Sequence, residues 1–357
     1  MNKYLILILG VICVCIFNPL QVLATESEQI EVVKKILNEA CYCANAHNAQ
    51  MWQVEINQDD KIILYLDKTR LLSEIDPNNK ESLITMGAFI QNIVDVASFY
   101  DLIASVEVFA KTNADSKIAE ISFSNGKRGL LDKKYKGKIL NRHTDRNIFK
   151  QNAIDKNILQ ALVNTDAGNI KYFSLNSEQG HYISKSLIAA NIKQANNDSK
   201  QAELAKWMRI SWHDIISNSD GITPKMIGMP FPARVFIYTF FNKRLVMTRF
   251  FRDSGIDKVK TQVNNCAGFF VITSETTSSE DLIESGRLLQ HFWISANDFG
   301  LSVQPMSQIL EESPFKNEIN SKIDIHKPIS MILRVGYPIK KTTPSSNRRR
   351  VNKFIIK

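Results

Sequence analysis

Apolar residues fall into two spacings along the chain. Between residues 29 and 40 they recur at Ile30, Val33, Ile36 and Leu37, with Glu and Lys between them, as on one face of a helix. Val54 and Ile56, then Ile62, Leu64 and Leu66, alternate with their neighbours. This predicts a strand pair broken by the turn residues 57–60. Residues 82–103 predict a long apolar helix in which Gly87 and Ala88 leave room for close packing, and 105–109 and 118–123 read as strands. A basic, glycine-containing stretch at 126–140 marks a boundary. Beyond it the pattern predicts helices at 155–162, 180–197 and 280–299. Extended segments are expected at 269–273, 301–303 and 331–335.

Two of these stretches share a pattern. One begins at Gly87 and the other at Gly286; each has a Gln four residues on, an amphipathic helix, a breaker and a strand. An internal duplication is expected from this, and chance likeness between two core helices is the competing reading. Residues 196–255 match nothing in the first part. They contain Trp207, Trp212, Asp220-Gly221 and an aromatic run, Phe236 to Phe241, bracketed by Arg234 and Lys243-Arg244. Such an insert either packs over a cleft as a lid or lays its apolar face on a membrane.

Composition changes this picture at the two ends. The 357 residues, 44% hydrophobic and 23% charged, are enough for a sizeable core. Of the formal charge of +9, much lies in residues 340–357, where seven basic residues stand without an acid. A short positive start, an apolar run at residues 4–17 and Val22-Leu23-Ala24 together read as a Sec-type signal peptide, residues 1–24. An exported, periplasmic protein is expected, with an uncleaved anchor as the alternative. Two of the five cysteines would leave with that peptide. Cys41, Cys43 and Cys266 neither form a disulfide framework nor show zinc spacing.

Two stretches carry candidate chemistry. Residues 47–52, His-Asn-Ala-Gln-Met-Trp, place an imidazole, two carboxamides and an indole together. Carboxamides can read an imide-like ring edge, and His47 can donate to an oxygen that gains charge; a polar turn before a core Trp is the plain alternative. Arg142 and Arg146 stand four apart around Thr144. Paired donors and permanent charge suit guanidinium groups to a dianionic phosphate. Arg348-Arg349-Arg350 repeats the theme. No Gly-x-Ser-x-Gly, Walker loop, GxGxxG or HExxH occurs, so difficult chemistry would fall to a cofactor.

Taken in order, these pieces resemble the nitroreductase superfamily, and within it the fused, two-half Acg-like FMN-binding oxidoreductases. The residues that carry the resemblance begin with 47–52, Asp67 to Arg70 with Asp76-Pro77, Gly87-Ala88 with Asn92, and 142–146. They continue with Glu203, Trp207 and Arg209, then Asp220-Gly221, Gly286-Arg287, and Gly300-Leu301 with Gln304-Pro305. Arg334 to Tyr337 and Arg348-Arg349 complete the set.

The resemblance implies an α+β fold whose halves, residues 25–135 and 136–357, form an internal pseudo-dimer with a lid-like insert at about 196–255. It implies FMN held by Asn48, Gln50, Arg142, Thr144, Arg146, Gly300, Leu301, Arg348 and Arg349. His47 and Asn48 would face the ring, and backbone N–H groups near Leu301 would stabilise charge on it. A single site is expected, because Asp101-Leu102 replaces Gly300-Leu301 in the first half and no second copy of 47–52 occurs. The implied activity is an oxidoreductase, with NAD(P)H as a donor and a nitroaromatic or quinone-like small-molecule acceptor; the alternative is an exported flavin-sequestering protein with an occluded site. No metal and no nucleic acid is expected. Membrane contact would come through the insert or an uncleaved N-terminus, and the expected state is a monomer acting as a pseudo-dimer. Ala44, Asn45 and Met51 stand where the family often has Pro, Ser and Pro, Gln53 replaces a basic residue, and Met86 replaces a cysteine.

Overall fold

Residues 19–57, 61–126, 133–166, 168–340, 342–344 and 347–356 are described in the structure, a computed structural model. The apolar run at 4–17 and turn positions 58–60 lie outside them. The first part holds α1 (Pro19–Ala40), β1 (Trp52–Ile56), β2 (Lys61–Leu66), α2 (Lys80–Ala97), β3 (Leu102–Val108) and β4 (Lys117–Asn125). α1 passes through the expected cleavage point after Ala24. Sequence periodicity carries α2 to residue 103, but the helix ends at Ala97 because Asp101 turns left-handed, at φ 54, and sends the chain into β3.

The second part follows with α3 (Lys133–Asn141), α4 (Lys156–Val163), β5 (Ile170–Ser174) and α5 (Glu178–Ala195). The insert is helical: α6 (Asp198–Trp207), α7 (Trp212–Asn218), α8 (Phe231–Phe240) and α9 (Arg249–Val263). Then come β6 (Gly268–Thr273), α10 (Ser279–Asp298), β7 (Ser302–Pro305), α11 (Gln308–Glu311), α12 (Phe315–Lys322), β8 (Ile329–Gly336) and β9 (Ile355–Ile356). Helices and separate sheets make this an α+β chain, as expected.

One sheet runs β5-β6-β8-β7, antiparallel throughout, and β6 is buried along its whole length, as its unbroken apolar sequence requires. The other runs β3-β4-β2-β1-β9. Its last strand comes from the far end of the chain: β9 pairs parallel to β1, with Val54 opposite Ile355. The segment 347–356 therefore belongs to the first sheet, although the division expected at residue 135 assigns it to the second part.

Between the sheets α2 crosses α10, and the crossing is reciprocal. A Cβ added at Gly87 would sit 1.9 Å from the Ile283 carbonyl oxygen, and one at Gly286 would sit 2.0 Å from that of Ile84. Each glycine thus meets the residue three positions before the other, the pattern of an isologous contact. Arg287 Nε donates to Gln91 Oε1 at 3.1 Å, and Gln290 Nε2 donates to Asn92 Oδ1 at 2.8 Å, continuing the seam. One core joins both helices and both sheets, including Trp52, Phe89, Phe292 and Leu333. The insert has a small core of its own around Met208, Ile210, Ile222 and Val246.

Candidate active site

The loop 45–50 takes an expensive shape. His47, Asn48 and Gln50 all have positive φ, at 51, 53 and 54. Side chains other than glycine pay about 1–3 kcal/mol each for such a conformation, Asn and His less than most. Surrounding bonds hold it. Asn45 Oδ1 accepts the Gln50 N–H at 3.1 Å. Asn48 exchanges backbone and side-chain bonds with Gly221: its carbonyl accepts the Gly221 N–H, and its Nδ2 donates to the Gly221 carbonyl, both at 3.0 Å. Gly221 is required there, because a Cβ would lie 2.3 Å from the Trp207 carbonyl oxygen. Asn48 Oδ1 in turn accepts from Arg348 Nη1 at 2.7 Å.

The small-residue patch before this loop is a shelf of carbonyls for two arginines from the second part. Arg142 Nε and Nη2 donate to Tyr42 O at 3.2 and 3.1 Å, and Nη2 also donates to Cys43 O at 3.2 Å. The Arg142 guanidinium lies over Trp293, 4.6 Å from the ring centroid. Arg348 donates to Cys41 O at 2.6 Å and Cys43 O at 3.1 Å. Burial raises the Cys41 and Cys43 thiols to about 11 and about 12, so both stay protonated and unreactive.

A cavity of about 400 Å³ opens beside this shelf, within the size range of small-molecule sites. His47, Asn48, Arg142, Thr144, Arg146 and Arg348 line it. Three chain segments, distant in sequence, thus meet at one place. Arg146 Nη1 donates to Met226 O at 3.2 Å, which leaves its Nε and Nη2 without a hydrogen bond among the described residues. Lys258, on α9 of the insert, adds a fourth cation to the walls. Among the described residues no carboxylate lies within ion-pairing distance of these four groups. Asp145, the nearest in sequence, is committed elsewhere: its carboxylate accepts from Asn147, Ser302 and Thr342.

This uncompensated charge marks the titration of the walls. Burial, and Arg348 beside it, lower Arg142 to about 9; burial lowers Arg146 to about 10, so both remain charged at neutral pH. Burial and then Arg146 lower Lys258 to about 8. Burial, with Arg146 adding to it, lowers His47 to about 4, so its ring is neutral at pH 7 and offers one N–H and one lone pair. Across the cavity Glu81 and Glu311 face each other. Burial and the like charge of Glu311 hold Glu81 well above the usual carboxylate range, and burial raises Glu311 as well.

Four residues expected at the site lie outside the cavity walls. Gln50 Nε2 donates to Ser219 O at 3.0 Å, and its Oε1 accepts the Arg349 N–H at 2.8 Å. The Arg349 guanidinium donates to Gln50 O and Trp52 O. These two side chains clamp the loop from behind. Gly300 takes φ 76 to end α10, and Leu301 is buried in the core. The backbone N–H groups expected to be free there are spent: Gly300 N–H donates to Asn297 O and Leu301 N–H to Ala296 O, both at 3.0 Å. Trp52 stacks on Phe89 at 4.5 Å and lies edge-on to Phe354, so it belongs to the core.

Sequence reasoning missed Lys258 and gave Arg334 no role beyond its place in the resemblance. Lys258 reads as one more surface lysine on a polar helix. Arg334, wholly buried, stacks on Phe149 at 3.7 Å and donates to Gln304 Oε1, Gln262 O and Asn147 O. Gln262 Nε2 then donates to Arg146 O at 2.6 Å, so Arg334 positions the arginine motif from below. A lone Arg inside the apolar strand 331–335 was the available signal.

The insert is fastened to this assembly. Asp220 receives Arg70 and, at 2.7 Å, Arg209, and Glu203 accepts the Glu74 and Ile75 N–H groups at 3.1 Å each. Met208, Ile222, Met226, Ile227 and Phe251 of the insert form a cavity wall.

Against this geometry stand the likenesses to known proteins. Over 94 residues, 26% of this chain and 28% of the relative, the sequence is 32% identical to a Mycobacterium tuberculosis protein named as an NAD(P)H nitroreductase, acg, in both the CDC 1551 / Oshkosh and H37Rv strains. Over that stretch the chain resembles a nitroreductase. The matched stretch spans little more than a quarter of the acg protein. No family model matches the chain. Among solved nitroreductase-like structures, one from Parabacteroides distasonis, named NADH dehydrogenase/NAD(P)H nitroreductase, shares 15% identity at a TM-score of 0.33. The alignment covers 62% of this chain and 96% of that one. A nitroreductase-like family protein from Bacillus cereus gives 15% and 0.33, over 64% of this chain and 98% of that one. A nitroreductase from Anabaena variabilis gives 14% and 0.33, over 86% and 73%.

Proposed function

We propose that this chain is an FMN-binding oxidoreductase of nitroreductase type. The observation that supports the reading most is the cavity bounded by Arg142, Arg146, Arg348 and Lys258, with no carboxylate among the described residues paired to any of them. Arg142 is buried and the other three are half-buried, and cations so withdrawn from water are costly unless an anion joins them. The donor set fits a phosphate monoester: Arg146 Nε and Nη2 are uncommitted among the described residues, and Thr144 lines the same cavity. Arg142 and Arg348 would contribute charge rather than free donors, because the carbonyl shelf engages them. FMN, when bound, would supply a carrier that passes electrons from NAD(P)H to a small-molecule acceptor. Neutral His47 and the Asn48 loop would form the polar edge beside its ring. Glu81 and Glu311 would line another part of the same cavity. One such site per chain, with the two parts acting as a pseudo-dimer, is part of the reading.

The insert favours a second reading, an exported flavin-sequestering protein. Asn48 and Gln50 are bonded directly to Gly221 and Ser219, so the insert closes on the loop that would face the ring. The visible spectrum of the purified protein, followed by anaerobic NAD(P)H addition, separates the two. Bleaching of a flavin band supports the oxidoreductase. A flavin band that persists with NADH and with NADPH supports sequestration, and a colourless protein that takes up no added FMN rules out both.

A further inference from the structure

The insert turns an apolar face outward. Of the twelve large hydrophobic residues exposed among the described residues, eight lie between Trp212 and Phe250. On α8, Phe231, Val235, Phe236 and Phe240 fall on one face, and that face points to solvent; Phe231, Phe236 and Phe240 are 61%, 55% and 70% exposed. The opposite face, through Ile237, packs on the insert core. This is the reverse of an ordinary surface helix, whose apolar stripe points inward. α7 extends the patch with Trp212 and Ile216, Trp212 resting against Tyr238 at 4.5 Å between ring centroids, and Phe250 at the start of α9 completes it.

The charge around the patch has one sign. Residues 221–252 contain six basic side chains, Lys225, Arg234, Lys243, Arg244, Arg249 and Arg252, and no acid. The acids that approach from outside that span are Asp214, 3.8 Å from Lys243, Asp253, 3.5 Å from Arg249, and Asp198, which receives Arg252. They leave the segment basic. A second copy of this chain would set these cations against their own kind, since an isologous contact repeats one patch on both sides. A bilayer bearing anionic headgroups complements both properties together: aromatic side chains enter the headgroup boundary while Lys and Arg meet the phosphates.

We propose that α7, α8 and the start of α9 form a membrane-docking surface that sits on an anionic bilayer, with the helices lying in its interface. The consequence for the cavity is direct. Met226 and Ile227 just before α8, and Phe251 on α9, wall the cavity from within, so the docked face is the outer side of one cavity wall.

The test uses the full chain with vesicles of phosphatidylcholine alone or with one third phosphatidylglycerol. Trp212 is the one exposed tryptophan; Trp52, Trp207 and Trp293 are buried, so its fluorescence reports contact at the patch without a label. The expected result is at least tenfold tighter binding to the anionic vesicles, a blue shift of emission, and quenching by brominated lipid that Trp212→Phe abolishes. Phe231→Ser/Phe236→Ser/Phe240→Ser, all at solvent-exposed positions, should weaken binding tenfold or more while the melting temperature stays unchanged. Vesicle binding that the triple variant leaves intact, or binding without quenching at Trp212, overturns the proposal. So does sedimentation showing a dimer that the triple variant dissociates, because the second copy is then the occupant.

Discussion

At the scale of single residues the site is built from charge that the fold leaves unanswered. Arg146→Ala should lower affinity for inorganic phosphate and for FMN about tenfold or more, as expected when a charge-assisted contact of roughly 1.5–3 kcal/mol is lost. The same change should not lower the melting temperature of the ligand-free protein, since it relieves the like-charge crowding of Lys258; a large fall would mean the residue is structural. Two titrations follow. Lys258 sits near 8 in the folded chain, so FMN affinity should fall as pH rises through 8, and Lys258→Gln should flatten that limb. His47 has its folded value lowered, from 6.5 to about 4, so the unfolded chain binds the extra proton between those values. Its contribution to stability is therefore complete above pH 6.5 and is lost as pH falls toward 4. Urea midpoints at pH 7 and pH 5 should draw together in His47→Gln. The sequence picks out the motif around Arg142 and the stretch 47–52 as candidates by their residue types, and the structure brings His47, Asn48, Arg142, Thr144 and Arg146 to one cavity. The carbonyls of Cys41, Tyr42 and Cys43 were not legible in the sequence, because any side chain can stand on a backbone acceptor. That is why the departures from Pro and Ser there leave the arginines' footing intact.

At the scale of elements the two glycines were readable and their partners were not. A Gly in a long apolar helix announces close approach, but only the coordinates place Gly87 on Ile283 and Gly286 on Ile84. Gly87→Ala drives a Cβ into a backbone carbonyl that cannot rotate away. It should destabilise the protein by about 3 kcal/mol or more, whereas an exposed helical Gly→Ala, such as Gly255→Ala in α9, should be neutral or slightly stabilising. Matched urea melts give both numbers. β9 escaped notice for a different reason. Two isoleucines at the end of a basic tail have no periodicity of their own, and they form a strand only because β1 presents an open edge.

At the scale of the whole molecule the insert unites what the sequence presented as separate short motifs. Asp67 to Arg70, Glu203, Arg209 and Asp220-Gly221 proved to be one fastening between the insert and the loop that bears His47. Asp220→Asn should leave Arg70 and Arg209 without their shared carboxylate. Loss of a buried pair of this kind costs about 3–5 kcal/mol, and hydrogen exchange should rise first at 219–222 and 47–50, ahead of the sheet interiors. Uniform exchange would mean the insert is held mainly by its apolar contacts.

The pairing of β9 with β1 also sets a schedule. Asn48 receives its arginine from a residue 300 positions further along, and the strand beside β1 comes later still. When the chain is made from its N-terminal side, the loop 45–50 waits first for Gly221 and then, almost to the end, for Arg348 before the bonds that hold its left-handed shape are complete. The cavity is thus among the last things the molecule completes, because Arg348, one of its walls, comes from the far end of the sequence.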